Sequence, residues 1–212
     1  MKLKFGIKEV VAIGIGTALF VVLTNVQVPF MIIPNTALQS RVAVLTFFSA
    51  VFGPIVGGAI GIIGHALGDA LFYGSVWWSW VFPDGLFGII VGLFAAKYAI
   101  KEGGFTGKSI VLFNVVQVIA NALAWIVLAP VLDILIYAEP ANKVFTQGVL
   151  AFVGNIVVAG VLGSLLAYAY SKIGAKSSSL SKEDLSGNGS GAACPIGRRI
   201  WPAHHGPAVL FM

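Results

Sequence analysis

His65, Asp69 and Tyr73 recur every four residues inside the otherwise apolar run GPIVGGAIGIIGHALGDALFY, which places them on one face of a helix. An imidazole and a carboxylate at that spacing can pair with each other, relay a proton or receive a polar ligand. Three tryptophans follow in GSVWWSWVFPDG, at Trp77, Trp78 and Trp80. Adjacent Trp77 and Trp78 cannot both face lipid in regular structure, so at least one ring is expected inward, as a stacking wall for a planar ligand. Interfacial anchoring is the competing role for any one of them. Asp84 follows Pro83 where the next helix is expected to start, a position suited to capping free N–H groups or, failing that, to ligand contact. Farther on, Asn114, Gln117, Asn121 and Trp125 are three, four and four residues apart, one continuous helical face. Carboxamides both donate and accept, which suits a neutral heterocycle and equally suits glue between helices. Gln147 and Asn155 share a face two turns apart, and Asn35, Gln39 and Arg41 flank a connection that can close over a pocket.

Such residues need elements to carry them through an apolar medium. With 58% hydrophobic and 10% charged residues among 212 and a mean hydropathy of +0.95, the chain has too little polar surface for a soluble domain. Ionisable groups in hydrocarbon cost several kcal/mol, so His65 and Asp69 must face protein. Six apolar runs are candidate spans, at about 8–27, 37–52, 54–73, 82–100, 109–136 and 144–171, each judged against the roughly 20 residues a bilayer core requires. The runs are too long and too continuous for barrel strands, so the expected class is all-α, an integral membrane bundle of six transmembrane helices. Gly53 and Pro54 leave almost no connection between the second and third, a tight helical hairpin.

Lys2, Lys4 and Lys8, then Lys97, Lys101 and Lys108, then Lys172 and Lys176 all fall at one end of a six-span arrangement. The positive-inside rule makes that end cytoplasmic, with both termini there. The formal charge of +5 is thus a topology signal and points to membrane lipid, with no nucleic acid as partner. Residues 1–176 are expected to form the membrane domain. Residues 177–212 read as a polar cytoplasmic tail, disordered and partly of non-native origin, in which Cys194, His204 and His205 carry no metal. No Walker A loop, HExxH helix or nucleophile elbow is present, so hydrolysis by those known motifs is excluded. No catalytic residue is assigned.

Small residues at fourfold spacing form two stripes on the first span, Ala12/Gly16 and Gly14/Ala18, and two more on the third, Gly57/Gly61 and Gly64/Gly68. Such stripes admit another helix closely.

The segments VVAIGIGTALFVVL, IPNTALQ, FGPIVGGAIGIIGHALGDALFYGSVWWSWV and GLFGIIVGLFA closely resemble the S components of energy-coupling factor (ECF) transporters, from about residue 5 to 175. The resemblance implies a six-helix substrate-binding subunit of the bacterial cell membrane, not an enzyme. Its implied partners are a transmembrane coupling subunit, the T component, and two ABC-type ATPases that use ATP; this chain binds no cofactor. A small-residue motif on the first helix of S components meets the coupling subunit, and Ala12, Gly14, Gly16 and Ala18 occupy the matching positions. The implied site lies in the outer half, and the implied mechanism is toppling of the loaded subunit to release substrate inward. This branch is similar to S components for hydroxymethylpyrimidine or pyridoxine, small vitamin precursors. The resulting candidate binding set is Asn35, Gln39, His65, Asp69, Tyr73, Trp77, Trp78, Trp80, Asp84, Asn121 and Trp125. A stand-alone proton-coupled carrier or an intramembrane enzyme using His65 and Asp69 is the competing reading.

Overall fold

The computed structural model describes residues 5–29 and 36–173. The expectations for Asn35 and for the 177–212 tail fall outside the described residues.

Helix α1, Ile7–Thr24, begins where the Glu9 carboxylate accepts the Gly6 N–H at 2.9 Å, satisfying a donor that a helix start leaves free. It leads into an antiparallel ribbon of β1, Gln27–Pro29, and β2, Ala37–Gln39, with Gln27 opposite Gln39. This ribbon departs from the all-helical expectation and delays the second helix, expected from 37, to α2 at Arg41–Phe52. The backbone of 37–39 bonds across to β1 instead of along a helix. Gly53 then turns at φ +97°, a conformation that favours glycine, and Pro54 opens α3, Pro54–Phe72. After the Trp-bearing connection come α4, Trp78–Leu93, a single-turn α5, Ala95–Tyr98, then α6, Gly107–Tyr137, and α7, Ala141–Ile173.

All six apolar runs are helical over most of their length, but among the described residues only α1, α3, α6 and α7 are long and apolar enough to cross a membrane. The 12 residues of α2 and 16 of α4 reach about 18 and 24 Å at 1.5 Å per residue, short of the roughly 30 Å hydrocarbon core. The count of six full spans is therefore not reproduced.

Helices α3 and α4 pack backbone to backbone. A Cβ at Gly61 would lie 2.5 Å from the Asp84 carbonyl oxygen, and one at Gly57 2.5 Å from that of Gly88. On the other side a Cβ at Gly64 would meet the Phe20 ring at 2.8 Å and one at Gly68 the Thr24 hydroxyl at 2.8 Å. The two glycine stripes of α3 thus serve two different neighbours. A π-helical turn at Ile60–Gly64 supplies the reason, because one extra residue per turn rotates everything after it. Related π turns interrupt α6 at Ala122–Leu128 and α7 at Ala159–Gly163.

The helices alternate in direction, so Lys8, Lys97, Lys101, Lys108 and Lys172 gather at one end. Lys101 Nζ there sits 4.9 Å over the Phe52 ring at the end of α2. The opposite end carries the Trp77–Trp80 segment and nearly all the candidate binding residues.

Candidate functional site

At the Trp end, α2, α3 and α4 each bring an ionisable side chain to one buried point. His65, the residue after the π turn of α3, directs Nδ1 to Asp84 Oδ2 at 2.7 Å. Its Nε2 lies 3.4 Å from Asp69 Oδ1 and 3.3 Å from Arg41 Nη2. All four residues are buried. Arg41 also donates to Gln39 Oε1 and to the Thr24 hydroxyl at 3.4 Å, and its guanidinium carbon sits 4.9 Å above the Phe20 ring, a favourable cation–π geometry.

The ring nitrogens of His65 have a definite logic. Guanidinium only donates, so the Arg41 contact needs a lone pair at Nε2, leaving the Nδ1 proton for Asp84. The Asp69 contact needs a proton at Nε2. One nitrogen therefore serves Arg41 or Asp69 according to the charge on the imidazole.

Asp84 is not a helix cap. The helix begins at Trp78, with Pro83 and Asp84 inside it, because the Trp-bearing segment itself is helical from Trp78 onward. Asp84 Oδ1 is buried and has no hydrogen-bond partner among the described residues, and the same holds for Asn121 Oδ1.

The aromatic cluster divides. Trp77 donates its backbone N–H to Asp69 Oδ2 at 3.0 Å and its indole N–H to Asp133 Oδ1 at 2.7 Å. Its ring stacks on Tyr137 with centroids 4.2 Å apart. Trp80 donates its indole N–H to Asp133 Oδ2 at 2.7 Å and tilts against buried Trp125, centroids 5.3 Å apart. Trp78 is 43% exposed, lies against Phe82, and only its backbone N–H is used, toward the Tyr137 hydroxyl. Tyr73 leaves the face it was expected to share with His65 and Asp69: it follows the end of α3, is 55% exposed and accepts a hydrogen bond from Gln27.

On α6 the carboxamides bind each other and α7. Asn121 Nδ2 donates to the Gln117 carbonyl and to its Oε1, both at 3.0 Å. Gln117 Nε2 reaches the Ile156 carbonyl and Asn114 Nδ2 the Ser164 hydroxyl. Most of this face is interhelical glue.

The residue missing from the sequence expectations is Asp133. A lone carboxylate in AWIVLAPVLDILIY was the available signal, since intramembrane acids demand partners. Arg41, which the sequence sets beside the site, enters it because the start of α2 packs against His65.

A family described as the ECF-type riboflavin transporter, S component, matches residues 4–172. The chain belongs to this family of ECF S components. Related sequences include a UPF0397 protein of an Exiguobacterium species, 50% identical over 84% of this chain and 98% of its own length. A UPF0397 protein of Streptococcus gordonii is 52% identical over 84% of this chain and 96% of its own. One of Enterococcus faecalis is 50% identical over 86% and 100%. No solved structure matches. The S component is a multi-pass membrane subunit of a transporter and not an enzyme, and membership implies association with an ECF T component and ATPases.

The two small-residue stripes of α1 are in different situations in this S component. Ala12 and Gly16 are buried, and a Cβ at Gly16 would strike Ile60 and Phe48. Gly14 and Ala18 face outward, with nothing within 4 Å of a Cβ at Gly14.

Proposed function

We propose that the S component captures a small hydroxymethylated aromatic nitrogen heterocycle, hydroxymethylpyrimidine or pyridoxine, at the Trp end, and releases it on the lysine side when driven by its coupling subunit and ATPases. The lysine end is cytoplasmic in this reading, as the positive-inside rule requires. The observation that carries it is the pair of buried acceptors, Asp84 Oδ1 and Asn121 Oδ1, that no protein donor satisfies among the described residues. Buried acceptors call for donors, and a ring bearing hydroxymethyl or amino groups supplies them. Trp80 and Trp125 offer the aromatic surface, whereas Trp78 belongs to the lipid side.

The Gly14/Ala18 stripe is the surface offered to the coupling subunit, because Ala12 and Gly16 are already used within the bundle. Leucine at Gly14 and Ala18 is expected to abolish co-purification with the T component and leave ligand binding intact.

The deciding experiment is a tryptophan-fluorescence titration of the purified protein with hydroxymethylpyrimidine, pyridoxine and riboflavin in parallel, riboflavin because the matching family is described by it. Saturable quenching by hydroxymethylpyrimidine or pyridoxine, lost in Trp80→Phe and retained in Trp78→Phe, supports the assignment; quenching by riboflavin alone replaces the ligand and keeps the site. A second reading, a stand-alone proton-coupled carrier, draws on the His65 Nε2 contested between Asp69 and Arg41. It requires uptake to persist without any ATPase and to collapse with the proton gradient.

A further inference from the structure

We infer that Asp133 is the positioning residue of the aromatic wall at the Trp end, fixing Trp77 and Trp80 through their indole N–H groups. The inference rests on the reading of that end as the substrate site. Asp133 is 2% exposed, and no ion pair to it is found among the described residues. Its two oxygens accept three bonds from one four-residue segment. Trp77 and Ser79 both donate to Oδ1, and Trp80 donates to Oδ2.

The chemistry of the donors explains why a carboxylate stands there. Indole can only donate, so Trp77 and Trp80 cannot satisfy each other, and an amide at 133 would offer one acceptor and turn N–H groups toward one of the indoles. An ionised carboxylate accepts at both oxygens, and its bonds are shorter and stronger than neutral ones. The anion in turn is stabilised by three convergent dipoles in place of a counter-charge.

Trp77 is consequently held at two points. Its backbone N–H is bound by Asp69 of α3 and its ring N–H by Asp133 of α6, so the short connection after Tyr73 is pinned between those helices. Trp80, on the other oxygen, is held where its ring meets Trp125. A packing role alone would tolerate an isosteric amide. A positioning role does not.

The test uses the full chain, with its five tryptophans labelled at the indole nitrogen with 15N, in detergent micelles. Trp77→Phe, Trp78→Phe and Trp80→Phe assign the cross-peaks. The Trp77 and Trp80 signals are expected downfield of the others, Asp133→Asn is expected to shift both upfield, and Trp78 is expected to stay in place. Ser79→Ala is expected to move the Trp77 signal, because the two donors share one oxygen, and this arm decides the matter even where Asp133→Asn does not fold. Trp77 and Trp80 signals that stay at wild-type positions in Asp133→Asn, or a Trp77 signal unmoved in Ser79→Ala, overturn the assignment. Failure of the transporter reading shows separately, as failure of the wild-type chain to co-purify with a T component and ATPases, with the indole signals unaffected.

Discussion

Asp69 and Asp84 both face the His65 imidazole, with the Arg41 guanidinium beside it, whereas Asp133, at the same end of the bundle, meets only neutral donors among the described residues. The first centre is assembled from α2, α3 and α4, so its stability depends on three helices holding register. It also contains a choice, since His65 Nε2 can serve Arg41 or Asp69. The second takes every donor from the Trp77–Trp80 segment and offers no alternative pairing. One centre can rearrange while the other is built to stay put, and Trp77 joins them by bonding to both Asp69 and Asp133.

The largest effect is expected from removing the only guanidinium at the first centre. Arg41→Met takes the one guanidinium away from two buried carboxylates and leaves Gln39 Oε1 without its donor, and an uncompensated buried charge costs about 3–5 kcal/mol. Thermal unfolding in detergent should show a clear loss, and wild-type stability would mean that the Arg41 charge is not needed there. Asp133→Asn should cost less, about 1–3 kcal/mol, because it leaves neutral donors unpaired and no uncompensated charge. A loss equal to that of Arg41→Met would break the distinction between the centres. Ser79→Ala removes one of three donors, and about 0.5–1.5 kcal/mol is expected in the same assay; combined with Asp133→Asn the two effects should be non-additive, as for any pair in contact. Trp78→Phe touches neither carboxylate side chain and is expected within about 0.5 kcal/mol of wild type. A larger loss would place Trp78 in the wall rather than against lipid.

The glycine contacts give this picture its geometry. Bringing Asp84 to His65 requires α3 and α4 to touch backbone to backbone, which Gly57, Gly61 and Gly88 permit. The π turn before His65 then lets the same helix present Gly64 and Gly68 to α1. Periodicity identified the small-residue stripes, but it did not say which neighbour each one meets, because that depends on the π turn at Ile60–Gly64.

Composition and charge placement by themselves determined that this chain is a helical membrane protein with most of its lysines at one end, because apolar run length and the cost of burying charge are local properties. The stretches around His65 and Trp77 were also enough to point to the S components. The same reasoning placed His65 and Asp69 together, since four residues is one turn. Only the tertiary structure decided that Asp84 completes their cluster from within α4, that Arg41 enters it, and that Asp133 holds Trp77 and Trp80. Those bonds join residues 19 to 56 positions apart in the chain. A hydrogen bond acts only at contact distance, and contact between distant segments is set by how the helices pack.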